Sequence, residues 1–221
     1  MPTIISWNTQ GNCLTKLSEA HEMLFSPARD NIIMIQEAGN IQLENINFGR
    51  QREPNYHNFN SRFFEQQDAL NIRCTTGMLV EDSYVNRSEI FQYAFLRRPI
   101  VCCEFLNGNE KYVFATVHLT ANAQAAAQEL IDINLAFRNQ YDRGVKWIVI
   151  GDFNCQPNEI NSNIPINISH PHRATHRSGR ILDYAIYSDS LRGRIQVNFG
   201  GASGYPSVPL CSDHYPIYCR F

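Results

Sequence analysis

Short apolar runs with polar ends recur along the chain. Residues 3–7, Thr-Ile-Ile-Ser-Trp, predict a strand that gives way to polar Asn8, Gln10 and Gly11. Residues 14–25 have helical spacing, with Leu14, Leu17, His21 and Leu24 near one face, and Pro27 stops them. Residues 32–35 read as a buried strand with Gln36 and Glu37 at its exit, and the Asn-rich stretch 39–55 reads as loop. Further strands are expected over 56–64, 76–80 and 91–95, the last after a polar stretch over 83–89. Residues 100–106 and 111–117 flank Asn107-Gly108-Asn109-Glu110, a hairpin signal whose second arm delivers His118.

The Ala- and Gln-rich segment 123–141 predicts the main helix, with Leu130, Ile133, Leu135 and Phe137 on its apolar side and Gly144 closing it. A buried strand over 147–150 runs straight into Gly151-Asp152-Phe153-Asn154. Residues 156–180 read as polar loop. Strands follow over 181–187, carrying Asp183, and over 195–199. After a turn-rich loop over 200–209, Ser212-Asp213-His214 opens the last strand, 215–219. Many strands with one early and one central helix predict an α+β layered sandwich, with the helices on the outer faces of two packed sheets. No internal repeat is evident, and helices alternate with strands too rarely for a doubly wound sheet.

A chain of 221 residues buries one large core, so residues 1–221 are expected to form a single domain. Hydrophobic residues at 43% and charged residues at 18% exclude a disordered or fibrous chain. A net charge of −2 argues against a protein that coats nucleic acid, but leaves room for an enzyme with a local basic patch and a metal ion. The cysteines Cys13, Cys74, Cys102, Cys103, Cys155, Cys211 and Cys219 include no CxxC pair, so a structural zinc site built on one is not expected. They are either reduced thiols, buried or at strand edges, or one or two disulfides of an exported protein. Cys102 and Cys103 point to opposite faces if they lie on a strand. The start of the chain lacks the charged and apolar regions of a secretory signal, and no run approaches the about 20 apolar residues of a membrane span.

The candidate chemistry lies beside the strands: Asn8, Glu37, His118, Asp152 and Asn154 at or just past strand exits, with Asp213 and His214 before the last strand. Hydrolysis of a phosphodiester needs a hard cation on a phosphate oxygen, and Glu37, Asp152 and Asn154 offer oxygen ligands that suit magnesium. It needs a base for water, a role open to His214 if a buried carboxylate tunes it. It also needs donors to the phosphoryl oxygens, for which His118, Asn8 and an arginine are candidates. Singly each signal has an ordinary structural explanation, as a solvated strand end, a turn or a capped strand. Their joint occurrence in this order carries the reading.

The set Ser6-Trp7-Asn8, Ile35-Gln36-Glu37, Val117-His118, Gly151-Asp152-Phe153-Asn154, Leu182-Asp183-Tyr184 and Ser212-Asp213-His214 resembles the endonuclease/exonuclease/phosphatase superfamily. Its members include pancreatic DNase I, abasic-site endonucleases and inositol-polyphosphate 5-phosphatases. The resemblance runs from the first strand to the last and implies a DNase I-like, four-layered α/β sandwich. Within the superfamily the chain is most similar to the nuclease subunits of cytolethal distending toxins. Trp7 to Gly11, Gln36 to Gly39, Arg98-Pro99, Thr116 to Thr120, Gly151 to Pro157, Ala174-Thr175 and Arg180 to Tyr184 carry that similarity.

The resemblance implies Glu37 as the main ligand of Mg2+ or Mn2+, Asp213 as a second carboxylate on the metal side, and Asn8 positioning metal or phosphate. His118 would donate to a phosphate oxygen or the leaving group. Asp152, helped by Asn154, would orient the attacking water, and Asp183 would fix the tautomer of His214. Arg98 is the favoured arginine for phosphate, because neighbouring Arg97 faces away if both are extended; Arg62 and Arg87 rank lower. The loop 170–180, with His170, His172, Arg173, His176, Arg177 and Arg180, is either a positive patch along a DNA backbone, where Arg173 and Arg177 would serve, or a solvated loop.

The implied function is a DNA endonuclease of low sequence specificity, a toxin-type effector. Such a protein would have carrier subunits for delivery into a host cell and would act in the nucleus, although no clustered basic import motif is present. The alternative is a phosphoinositide or other phosphomonoester phosphatase using the same site. The lysines Lys16, Lys111 and Lys146 stand outside the motif loops, which favours diesters over polyphosphorylated head groups. A non-catalytic binding module predicts loss of Glu37, His118, Asp152 or His214, and all are present.

Overall fold

Alternating apolar positions along the strands present one side chain set to each face, and here both faces are used. The computed structural model describes residues 3–11, 31–39, 61–65, 74–80, 85–91, 96–98, 100–141, 144–200 and 212–220. The described strands are β1 (Thr3–Asn8), β2 (Asn31–Gln36), β3 (Ser61–Glu65), β4 (Thr76–Val80), β5 (Val85–Phe91), β6 (Ile100–Asn107), β7 (Glu110–His118), β8 (Val145–Asp152), β9 (Asn167–Ser169), β10 (Asp183–Tyr187), β11 (Gln196–Phe199) and β12 (Ile217–Arg220). They form two six-stranded mixed sheets, ordered β11-β12-β1-β2-β4-β3 and β5-β6-β7-β8-β10-β9. The helix α1 spans Ala123–Tyr141, as the sequence predicts.

The inner faces of the two sheets meet in a core that includes Ile4, Ile32 and Met34 from the first and Val101, Phe114, Ile148 and Ile150 from the second. A second core lies on the other face of the second sheet, where Ala126, Leu130, Ile133 and Phe137 of α1 pack on Trp147, Val149, Val117 and Tyr184. Phe137 meets Trp147 edge-on at 5.5 Å between ring centroids. On the first sheet, Ile5, Trp7, Ile33 and Ile35 alternate with the inner set and are also fully buried, so that sheet is covered on both faces. Cys102 and Cys103 fall into the outer and inner cores respectively, as strand alternation requires. Cys74, Cys102, Cys103, Cys155 and Cys219 are buried, and no disulfide occurs among the described residues.

Local rules account for most elements. Asn122 caps α1, its side-chain oxygen accepting from the Ala125 N–H at 3.0 Å. Gly108 takes φ +61 in the two-residue β6–β7 turn, the conformation for which glycine is favoured there. Glu129 is the unexpected residue on the buried face of α1. Its carboxylate accepts from the Thr120 N–H at 2.9 Å and the Thr120 hydroxyl at 2.7 Å, clamping the chain just beyond β7. Leu135, expected on the apolar side, is only partly buried.

Several expectations change. The strand expected over 91–95 is described only at Phe91 and otherwise lies outside the described residues; Phe91 ends β5, Val85–Phe91, which runs through most of the polar stretch over 83–89. β5 is an edge strand with an irregular register between Val85 and Arg87, and an edge does not need apolar alternation. The loop over 156–180 contains a 3-10 turn, Pro157–Glu159, and the three-residue edge strand β9, too short to show a period. The strand expected over 56–64 is described only from Ser61, and the helix over 14–25 and the loops over 39–55 and 200–209 lie wholly or mainly outside the described residues.

Two strand pairs are parallel, β1 with β2 and β7 with β8, and their registers end at Asn8↔Gln36 and His118↔Asp152. Antiparallel β10 brings Asp183 opposite Asp152. Gly151 makes the β7–β8 approach possible, since a Cβ there would lie 2.2 Å from the Val117 carbonyl oxygen. That oxygen is main chain and cannot swing aside. Gly151→Ala is therefore expected to destabilise the protein by about 1–3 kcal/mol, read as a lower urea midpoint; an unchanged midpoint would contradict this packing account.

Candidate active site

The strand ends converge where the two sheets share an edge. Asn8, at the end of β1, donates from Nδ2 to Asp152 Oδ2 at 2.9 Å, and more distantly to Glu37 Oε1 at 3.4 Å. This one amide spans from the first sheet to the second. Its own oxygen is held by the Gln10 N–H at 3.1 Å. Beneath it, Gln36 donates from Nε2 to Thr116 Oγ1 at 2.7 Å, a second polar tie between the sheets. His118 Nε2 lies 3.6 Å from Glu37 Oε1 and 3.7 Å from Asp152 Oδ2. Asp152 Oδ1 accepts from the Asn154 N–H at 2.9 Å, and Asn154 Nδ2 donates to the Leu119 carbonyl at 2.9 Å.

On the other side of Asp152 stands His214. Its Nδ1 pairs with Asp183 Oδ2 at 2.9 Å, leaving Nε2 3.6 Å from Asp152 Oδ2 and 3.8 Å from Asp213 Oδ1. The backbone around it is held from several directions. Trp7 Nε1 donates to the His214 carbonyl at 3.1 Å, Ser212 Oγ donates to the Asn8 carbonyl at 2.7 Å, and the His214 N–H donates to Ser212 Oγ at 3.2 Å. Thr175 Oγ1 accepts from both the Leu182 and Asp183 N–H groups at 2.9 Å, which sets the start of β10.

The backbone at the site is strained. Gln10, Glu37 and Asn154 take φ +50, +49 and +52, and among the described residues they are the non-glycine residues with positive φ. Side chains other than Asn or Asp resist this region, and such conformations persist where surrounding contacts enforce them. The Gly11 N–H donates to the Glu37 carbonyl at 2.6 Å, and the Ala38 N–H donates to the Thr75 carbonyl at 2.8 Å, pinning Glu37 on both sides.

Burial and charge divide the proton-carrying roles. Burial pushes the Asp152 carboxyl up to about 6; the Asp183 charge adds to this, while His214, the Asn8 amide and the Asn154 N–H oppose it. Burial pulls His214 down, but the charge and hydrogen bond of Asp183, reinforced by Asp152 and Asp213, outweigh it and raise His214 to about 10. At neutral pH the structure thus pairs a charged imidazole with a carboxylate whose proton affinity is close to neutrality.

The structure brings together Asn8, Glu37, His118, Asp152, Asn154, Asp183, Asp213 and His214. The three arginines stand differently. Arg98 Nη1 donates to the Leu119 carbonyl at 2.9 Å and the His118 carbonyl at 3.3 Å, and Arg97 is exposed. Arg98 therefore braces the chain behind His118, and its Nη2 donates to Cys74 Sγ at 3.6 Å. Arg177 is exposed at the rim, its N–H donating to the Asp213 carbonyl at 2.8 Å. Arg173 is exposed in a groove of about 610 Å³ between β9 and β11, with His170 and His172. The sequence pattern assigns no role to Ser212, Thr175, Gln10, Gln36 or Trp7, which hold the site together; each sits in or within two residues of a motif, the signal that could have found them.

Among the described residues, two groups of side chains have metal-ligating atoms within 4.8 Å of one another: Asp152, Asp183 and His214, and His176, Asp213 and His214. Glu37 adds a carboxylate that is only partly buried, beside His118 and Asn8. This oxygen-rich donor set fits a divalent cation.

Comparison with known proteins places these residues in context. The chain is 26% identical to CdtB of the Escherichia coli cytolethal distending toxin, over 97% of this chain and 89% of that protein. It is 25% identical to a CdtB homolog of Salmonella typhi, over 97% of this chain and 87% of that protein. Its fold superposes on the crystal structure of the Haemophilus ducreyi cytolethal distending toxin with a TM-score of 0.73 and 23% identity, covering 99% of this chain and 97% of that one. A family model spans residues 5–214, from β1 to the histidine that faces Asp152, and the chain belongs to the Endonuclease/Exonuclease/phosphatase family.

Proposed function

We propose that this protein is a magnesium-dependent DNA endonuclease of low sequence specificity, related in role to cytolethal distending toxin nuclease subunits. The observation that carries this reading is Asp152, a buried carboxylate between two imidazoles, with Glu37 beside it. The similarity to CdtB along nearly the whole chain supports it. The implied architecture is four-layered, with a further layer on the buried outer face of the first sheet. Delivery into a host cell by carrier subunits, and action in the nucleus, are part of the same proposal.

Glu37 would hold the metal, with Asn8 and Asp213 as neighbouring oxygen donors; Mn2+ is the natural substitute. A bound divalent cation supplies positive charge to a phosphate oxygen and offsets charge that develops during hydrolysis. The protein's own groups do the rest. Asp152 Oδ1 is fixed by the Asn154 N–H and Oδ2 by the Asn8 amide, and the second lone pair of Oδ2 would align a water and accept its proton, a task that a carboxyl near pKa 6 suits at neutral pH. His214, charged through Asp183, donates from Nε2 to a phosphoryl oxygen. This reassigns the base from His214 to Asp152, because three carboxylates around one imidazole hold its proton on. His118 is a second donor to phosphoryl oxygen or leaving group, and Arg98, Arg173 and Arg177 are the candidate phosphate contacts outside this cluster.

Supercoiled plasmid tests the proposal. The wild-type protein is expected to convert it to nicked circle with magnesium, and not with chelator. His214→Ala should slow nicking by on the order of 10²–10³-fold, the usual effect of losing one transition-state donor. A folded wild type inactive with both magnesium and manganese, yet active on phosphoinositide head groups, would overturn the nuclease reading.

Asp183→Asn tests the charge assignment. In metal-free protein, the His214 imidazole titration followed by NMR should be raised to about 10 in wild type and lie well below that in Asp183→Asn. A histidine raised in the folded state contributes stability that is complete below its unfolded pKa and disappears as pH rises through the folded one. The stability advantage of wild type over Asp183→Asn should therefore be full at pH 6 and shrink as pH approaches 10. An advantage that grew with pH would refute the assignment.

A further inference from the structure

His176 stands beside the proposed site, on the loop before β10 and apart from the strand ends that build the site. We infer that His176 is a positioning residue: by donating from Nε2 to Asp213 Oδ2, it decides which oxygen of Asp213 faces the metal and phosphate. The inference rests on the proposed reaction, in which Asp213 is an oxygen donor on the metal side.

The tautomer of His176 is set locally. The Ser178 N–H donates to His176 Nδ1 at 3.1 Å, so Nδ1 is an acceptor and the ring proton is on Nε2. Ser178 Oγ lies 2.7 Å from the same nitrogen and reinforces that choice. The Nε2–H then faces Asp213 Oδ2, 3.2 Å away. The backbone of Asp213 is held independently. Its N–H donates to Gln10 Oε1 at 3.1 Å, and its carbonyl accepts from the Arg177 N–H at 2.8 Å. What remains free is rotation of the carboxylate. With Oδ2 on His176, Oδ1 is turned inward, buried and 3.8 Å from His214 Nε2, with no hydrogen-bond donor among the described residues. A buried carboxylate oxygen without a donor is costly, and a cation or a water in the working site would satisfy it. The Asp213 side chain is 34% exposed, so without His176 the carboxylate can turn to solvent and take Oδ1 with it.

The main chain prearranges the donor. The Thr175 and His176 N–H groups both donate to the Arg180 carbonyl, at 3.0 and 3.1 Å. The Gly179 N–H donates to the His176 carbonyl at 3.0 Å, with Gly179 at φ +85. Arg180 Nη2 donates in turn to both carboxylate oxygens of Glu159, at 3.0 and 2.8 Å, which ties this tight loop to the 3-10 turn. An antiparallel bridge joins His176 to His214, and their rings meet edge-on at 4.6 Å. The ring is thus fixed against Asp213 and His214 together. It touches no reacting atom and acts through the carboxylate. Loss of such an outer partner commonly costs about 10–100-fold in metal affinity or activity.

Two substitutions test the role. His176→Phe keeps a ring against His214 and removes the donor, whereas His176→Gln restores an N–H near the position of Nε2. Mn2+ binding followed by electron paramagnetic resonance should weaken about tenfold in His176→Phe. The kcat of magnesium-dependent nicking should fall by a similar factor, with KM for DNA unchanged. His176→Gln should recover most of both losses. In metal-free wild type, a long-range 1H–15N spectrum should show His176 protonated on Nε2 and bare at Nδ1. Wild-type Mn2+ affinity in His176→Phe, equal losses in the two variants, or a His176 proton on Nδ1 would overturn the role. A wild type that never nicks DNA, but whose Mn2+ affinity falls in His176→Phe and returns in His176→Gln, would support the positioning role while sinking the nuclease reading.

Discussion

The Asp152 carboxylate is withdrawn from water at the end of a central strand, and the joint edge of the two sheets is organised around keeping it there as a usable anion. Burial alone favours its protonated form. An amide from β1, a backbone N–H from its own turn and the His214 imidazole counter that cost from three directions. Because these partners come from both sheets, the relative placement of the sheets and the chemistry of the carboxylate are one constraint. A slip in either would leave a buried charge without its partners, a penalty large beside the stability of an ordinary domain.

The parallel pairs β1–β2 and β7–β8 make this convergence possible. Each sheet ends two neighbouring strands at the same level, Asn8 with Gln36 in the first and His118 with Asp152 in the second, and Asn8 reaches across to Asp152. Gly151 permits the tight approach that brings His118 level with Asp152. The positive φ of Gln10, Glu37 and Asn154 shows where the chain is bent away from its preferred conformations to aim side chains inward. The hydrophobic cores on the two faces of the second sheet supply the rigidity that holds those conformations.

Much of this was legible in the sequence. The helix α1, the β6–β7 hairpin and the apolar runs of β1, β2 and β8 follow from periodicity, turn residues and capping, which act over a few neighbours. Polar residues beside apolar strands marked most of the groups that meet in the site. Edge strands were the weak point. β5 is polar, and β9 has only three residues, because an edge is specified by its one partner strand and not by alternation of its own. The brace formed by Arg98 and the clamp formed by Glu129 were also invisible, since their partners lie 20 residues and 9 residues away in the chain.

The order of the motifs, the strand ends they occupy and the kinds of donor they offer were set by the sequence itself, because each depends on residue type and short-range pattern. Which nitrogen of His214 faces Asp183, how far Asp152 rises in proton affinity, and the meeting of His176 with Asp213 were decided only by the tertiary structure. Electrostatic energies depend on distance and burial, and those arise between residues as far apart as Asn8 and Asp152 only once the two sheets have packed.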